Sequence, residues 1–281
     1  MLSDIDESSV LVTGGNGQLA TELKPLLPHA VYADQDKLNI TNEKAVFDFV
    51  HEKCIKYIVN CAAYTAVDQA EDDERYAYMV NALGPGILAK TNCRLIHIST
   101  DYVFSGSSST PYYPSDIAEP ISVYGKTKLA GEKAVMDNSD NAVIIRTAGL
   151  YSSHGNNFLK TILKLGMENP VIRVVDDQIG TTTFTGDLAK AIVKILPQVG
   201  PSVKGIYHYT NEGVCSWYDF AHVSISERNI QCKVIPIPSS EYPTKARRPH
   251  YSVLDKTLIK NTFNIEISHW MESLKKCLKQ F

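Results

Sequence analysis

Short runs of apolar, mostly β-branched residues recur along the first half of the chain, at Val10–Thr13, Ala30–Ala33, Tyr57–Asn60, Leu95–Ser99 and Val143–Arg146. Each is brief and apolar and lies near a turn signal, the pattern of strands buried on both faces. The segments between them carry helical spacing, predicting helices near Gln18–Leu27, Asn42–Lys53, Glu74–Thr91 and Lys126–Met136, with Asn42 as an N-cap. Strand–helix alternation of this kind predicts a parallel sheet joined by right-handed crossovers. The expected fold is therefore α/β, a Rossmann-type doubly wound parallel sheet.

Beyond about residue 150 the pattern changes. Gly, Asn and Thr become denser in Ser152–Asn157 and Gly180–Thr185, and prolines cluster at Pro236, Pro238, Pro243 and Pro249. Helical spacing persists near Phe158–Gly166, Asp187–Ile195, Trp217–Glu227 and Trp270–Leu278. We expect residues 1–150 to form a dinucleotide-binding domain. Residues 151–281 would form a smaller, partly interleaved C-terminal substrate lobe, with some segments returning to the first domain.

A length of 281 residues suits this arrangement and allows a sizeable core. The net charge of -3 gives no basic footprint for nucleic acid. No apolar run reaches the roughly 18 residues of a spanning helix, and Met1–Ser9 is polar and acidic, so no membrane partner and a cytoplasmic location are expected. The six cysteines form no C-x-x-C or other metal spacing and read as reduced, half-buried thiols.

The first candidate site is a glycine-rich turn. Val10-Leu11-Val12 runs into Thr13-Gly14-Gly15-Asn16-Gly17-Gln18-Leu19-Ala20, where Gly15-x-Gly17-x-x-Ala20 has the spacing of a dinucleotide turn. An early glycine permits a tight turn, the next lets backbone approach a pyrophosphate, and a small third residue lets helix and strand pack closely. Asp34 ends the second strand, 19 positions after Gly15. A carboxylate there can accept from a ribose 2′-hydroxyl and would repel a 2′-phosphate. This leans towards NADH while leaving NADPH open, since Lys37 stands nearby. Ala62 and Ala63, small and just past the third strand, would let backbone lie along the cofactor.

The second is a catalytic constellation. The fourth strand ends in Ser99-Thr100-Asp101-Tyr102, and Tyr124 follows Thr100 by 24 residues. Tyr124 and Lys128 stand at i and i+4, on one face of a helix. Hydride delivery to a ketone builds negative charge on oxygen, and a donor must supply a proton as that charge grows. Free tyrosine titrates near ~10, and a neighbouring ammonium is expected to lower that value. Thr100 would hydrogen-bond at the same oxygen. Arg247 and Arg248 could clamp a diphosphate through bidentate hydrogen bonds.

These residues resemble the extended short-chain dehydrogenase/reductases over nearly the whole chain, and within them the dTDP-4-dehydrorhamnose reductases. The carrying segments include Gly17-Gln18-Leu19, Asn60–Asp68, Ser99–Phe104, Val123–Glu132, Asp177–Gly180, Trp217-Tyr218-Asp219 and Ala246–His250. The resemblance implies that Tyr124 donates the proton, that Lys128 holds both it and the nicotinamide ribose, and that Thr100 completes a triad. It implies cofactor contacts at Gly14, Gly17, Gln18, Leu19, Asn39, Ile40, Ala63, Tyr64 and Thr65. Substrate contacts would come from Thr100, Asp101, Tyr102, Gln178 and Arg247. The implied reaction reduces the C4 ketone of dTDP-4-dehydro-L-rhamnose, a nucleotide sugar.

Two departures stand out. Gly149 occupies the place where relatives carry a substrate-stacking tryptophan. Some relatives also bind Mg2+ through glutamates at a homodimer interface; Glu22 matches one such position, but Asp187 stands at another, and no metal site is assigned. The alternatives are a reductase or epimerase of another nucleotide sugar, or a non-catalytic dinucleotide-binding regulatory subunit. Dehydratases on this scaffold place Asp-Glu directly after the Thr, whereas here Tyr102 follows Asp101.

Overall fold

The structure, a computed structural model, describes residues 5–281. The first half runs β1 (Val10–Thr13), α1 (Gln18–Leu23), β2 (Val31–Ala33), α2 (Glu43–Glu52), β3 (Tyr57–Asn60), α3 (Val67–Ala70), α4 (Glu74–Tyr78), a π-helical turn (Met79–Leu83), α5 (Gly84–Lys90), β4 (Arg94–Thr100), α6 (Val123–Asn138) and β5 (Ala142–Thr147). The second half adds β6 (Leu150–Tyr151), α7 (Phe158–Glu168), β7 (Val171–Val175), β8 (Ile179–Gly180), β9 (Thr183–Phe184), α8 (Thr185–Ile195), β10 (Gly205–His208), β11 (Cys215–Ser216), α9 (Trp217–Glu227), β12 (Lys233–Ile237), α10 (Thr257–Phe263) and α11 (Trp270–Leu278).

Six strands form one parallel sheet in the order β10-β5-β4-β3-β1-β2. The Rossmann-type α/β fold expected from the alternation is the one observed. Alternate residues of each strand point to opposite faces. Val10, Val12, Ile96, Ile98, Val143 and Ile145 pack against α1, α8 and α10, while Leu11, Ile58, Leu95 and Ile144 pack against α2, α5 and α6. The chain reverses direction across the sheet between β1 and β3, and in open sheets ligands bind outside the carboxyl ends of strands at such a point. A second core lies under α7, α9 and α11, built on Tyr151, Leu159, Phe184, Phe220 and Trp270. Among the described residues no helix is long and apolar enough to cross a membrane.

Three boundaries differ from expectation, each for a local reason. α1 stops at Leu23 rather than running to Leu27, because Pro25 has no N–H to continue the ladder. The helix expected over Glu74–Thr91 is broken by the π-helical turn. Pro85 leaves the Asn81 carbonyl without its i+4 donor, and Gly131 of α6 lies against that carbonyl so closely that a Cβ would stand 2.0 Å away. α6 starts three residues earlier than expected because the Ser122 side chain caps it, accepting from the Gly125 N–H at 3.2 Å. That early start places Tyr124 inside the helix, one turn before Lys128.

Candidate active site

β1 and α1 meet in the glycine turn. Gly14 has φ +65°, and a Cβ there would stand 2.8 Å from the Ala62 nitrogen. The left-handed backbone and the close approach of the segment after β3 both require glycine. Gly17 caps α1 without a side chain, so the first amides of the helix keep no intrahelical partner. Thr13 donates to Asn60 Oδ1 at 2.6 Å, which also accepts from the Ala62 N–H at 3.2 Å. The Asn60 amide then faces His97 Nδ1 at 2.9 Å, and burial holds that imidazole well below its usual range, so it stays neutral.

A cavity of about 770 Å3 extends from this turn across the strand ends. Gly14, Gly17, Gln18, Leu19, Asp34, Asn39, Ile40, Ala62, Ala63 and Thr65 line it on one side; Thr100, Asp101, Tyr102, Tyr124 and Lys128 line it on the other. A contiguous recess beyond Tyr102 and Gly149 is lined by Gln178. Two expected contacts are placed elsewhere. Tyr64 does not line the cavity; its ring packs edge-on to Tyr76, with centroids 5.8 Å apart. Arg247 is exposed and borders neither space, because the loop turns its neighbour Arg248 inward instead. Arg248 donates to Asp68 at 2.9 Å and to the Tyr102 hydroxyl at 3.3 Å.

At the catalytic end, Lys128 is 1% exposed and donates to the Ile98 carbonyl at 2.6 Å. Burial pushes its ammonium down to about 8, against the opposing pull of Glu132 and Cys61. Tyr124 behaves differently from the expectation that Lys128 would lower it. Burial pushes the phenol up, Thr100 pulls the other way by hydrogen bonding, and Asp101 and Tyr102 raise it further. The phenol therefore remains protonated at neutral pH, the state a proton donor needs. Asp101, buried beside Thr100 at 3.1 Å, is pushed up to about 6, chiefly by burial.

Two features of the site escaped sequence reasoning. Asn81, held in the π-helical turn, accepts from the Tyr64 N–H at 2.8 Å and donates to the Tyr64 carbonyl at 3.0 Å and to Thr127 at 3.1 Å. It ties the segment after β3 to the catalytic helix. A buried asparagine amid apolar helix residues was the available signal, because such a group must find partners. Gln18 reaches the loop after β6 through Ser152 and Asn157, at 3.4 and 3.3 Å, closing the cavity across α1. Elsewhere, Asp187 accepts from Ser273 at 2.5 Å and from Asn211 at 3.1 Å.

Replacing Gly14 by Ala is expected to weaken dinucleotide binding by roughly tenfold or more, since strain and the contact with Ala62 must displace the turn. Titration with NADPH and NADH checks this; wild-type affinity would contradict the role given to the turn.

Known proteins bear on this geometry. The family described as the RmlD substrate binding domain matches residues 8–281. A dTDP-4-dehydrorhamnose reductase of Aggregatibacter actinomycetemcomitans is 40% identical, covering 95% of this chain and 97% of its own. A crystal structure of a dTDP-4-dehydrorhamnose reductase from Clostridium acetobutylicum superposes with a TM-score of 0.92 at 40% identity, covering 96% of this chain and 98% of its own. The Bacillus anthracis reductase of the same name, solved in complex with NADP, has a TM-score of 0.92 at 37% identity, covering 97% and 99%. With nearly its whole length matched and its fold shared, the chain belongs to the RmlD substrate-binding-domain family.

Proposed function

We propose that this protein reduces the C4 ketone of dTDP-4-dehydro-L-rhamnose to give dTDP-L-rhamnose, using NADPH or NADH. The observation that carries the reading is Tyr124, half-buried and with its phenol protonated, one helical turn before the buried Lys128, at one end of a cavity whose other end is the glycine turn. The residues fit a dinucleotide: Gly14 and Gly17 line the cavity in a turn so tight that a Cβ at either would press on neighbouring backbone, and Ala62 and Ala63 line the same cavity. The relatives named for this reaction, and the NADP held by one of them, support the same assignment.

The reduced dinucleotide supplies the hydride. The Tyr124 phenol gives its proton to the ketone oxygen as negative charge develops there, and the resulting tyrosinate accepts from Thr100. The Lys128 ammonium, 1% exposed and on the same helical face, offsets that charge where burial limits screening. Asp101 and Tyr102 border the substrate side.

Incubation of the purified protein with dTDP-4-dehydro-L-rhamnose, generated in situ, tests the reading with each cofactor in turn. One nicotinamide oxidised per dTDP-L-rhamnose formed is expected. Cofactor binding without turnover would favour a regulatory subunit or another nucleotide sugar.

Lys128 gives the activity a pH dependence. Its folded value lies below the ordinary lysine range, so the cationic form is lost as pH rises through about 8, while Tyr124 keeps its proton. We expect kcat/KM to fall above that pH. A profile flat to about pH 10 would contradict the role of the ammonium.

Asp34 sets the cofactor ratio. It lines the cavity, accepts from Asn16, and receives the Lys37 N–H at 3.3 Å. Asp34→Ala is expected to raise the kcat/KM ratio of NADPH over NADH by roughly tenfold, the effect of about 1.4 kcal/mol of relieved charge repulsion. An unchanged ratio would show that the carboxylate does not face the 2′ position.

A further inference from the structure

The hexose must reach from Tyr124 into the space beyond it, and one aromatic side chain borders both parts of that space. Trp217 lines the main cavity that Lys128 and Tyr124 also line, and it lines the recess that holds Gln178 and Thr182. Its indole is held from behind by Phe158, with ring centroids 4.6 Å apart. Its backbone is fixed by a capping box, in which Asp219 N–H donates to Ser216 Oγ at 3.0 Å and Ser216 N–H donates to Asp219 at 2.8 Å. The indole tip lies over Gly149: a Cβ there would stand 3.4 Å from Trp217 Cη2 and 3.3 Å from Thr182 Cα, on a backbone with φ +51°. Residue 149 therefore contributes no side chain to this wall, and the space above it belongs to the indole.

We propose that Trp217 is the aromatic wall of the hexose subsite, the residue against which the apolar face of the 6-deoxy sugar packs. This rests on the function proposed above. A 6-deoxyhexose presents C–H groups and a methyl on one face, and an immobilised indole offers a large apolar surface to match it. Trp217 then reads the sugar, while the glycine turn reads the dinucleotide. Gly149 is the complementary half of the device, because its missing side chain leaves the indole uncovered.

The chain has two tryptophans, and Trp270 is 4% exposed in the core under α11, so ligand-dependent indole emission reports on Trp217. We expect dTDP-L-rhamnose to change the emission of the wild-type protein, dTDP alone to leave it unchanged, and Trp217→Phe to abolish the change. In turnover assays Trp217→Leu should raise KM for the nucleotide sugar roughly tenfold while NADPH affinity holds. Trp217→Phe keeps a ring against Phe158 and serves if the Leu variant does not fold; its KM should rise less. Wild-type turnover combined with unchanged KM in the variants would overturn the subsite and leave the proposed reaction standing. Absence of wild-type turnover with this substrate would overturn both.

Discussion

Tyr124→Phe should lower kcat by about 10²–10⁴-fold while cofactor binding and folding remain as in the wild type. The substitution removes one oxygen and keeps the ring, whose edge-on packing with Tyr102, at 5.7 Å between centroids, does not depend on the hydroxyl. What is lost is the only proton on that ring able to reach the ketone oxygen. Steady-state kinetics paired with NADPH titration separates turnover from cofactor binding. A variant with near-wild-type kcat would show that the proton comes from elsewhere, and Asp101, buried beside Thr100, would be the next group to test.

Glu132→Leu should destabilise the protein by about 3–5 kcal/mol, because it strands the Arg146 guanidinium in the core. Glu132 and Arg146 are 2% and 3% exposed, and they meet twice, at 2.9 Å from Nε and 2.7 Å from Nη2. Ser99 adds a hydrogen bond to the same carboxylate at 2.5 Å, and Arg146 also stacks over Phe104. The pair joins α6 to the ends of β4 and β5, the elements that carry Lys128, Thr100 and Thr147. The melting temperature should fall by about 6–20 °C. Replacing both partners, Glu132→Leu with Arg146→Met, should recover much of the loss, since no buried charge is then left unpaired. A single variant as stable as the wild type would contradict this. Glu132 also supports the Lys128 charge, so any folded Glu132→Gln protein should lose activity at lower pH than the wild type.

Much of this was legible in the chain because local rules dominated. The strands of the first half carry their own signal, since a parallel sheet covered on both faces needs uninterrupted apolar runs. Tyr124, Lys128 and the glycine turn were legible because their chemistry demands particular residues at particular spacings. What escaped notice depends on distant contacts. Nothing local distinguishes Arg247 from Arg248; Asp68 decides, far away in sequence, by drawing Ala246 and Arg248 into the fold through hydrogen bonds of 2.9 Å each. The π-helical turn arises from Pro85 together with the close approach of Gly131, and helical spacing by itself reads as a continuous helix there. The direction of the Tyr124 shift was missed for a similar reason. The i, i+4 spacing shows that Lys128 is near, but the balance is set by burial, with Asp101 and Tyr102 raising the phenol further.

The central claim is that the cavity delivers hydride to a sugar ketone while Tyr124 supplies the proton. The most direct test uses NADPH carrying deuterium at nicotinamide C4 on the transferred face, with dTDP-4-dehydro-L-rhamnose as acceptor and NMR of the product. The account predicts one deuterium at C4 of the resulting dTDP-L-rhamnose for each NADPH consumed, and almost none formed by Tyr124→Phe in the same time. A rearranged sugar without net NADPH consumption, or a product without deuterium at C4, would contradict it.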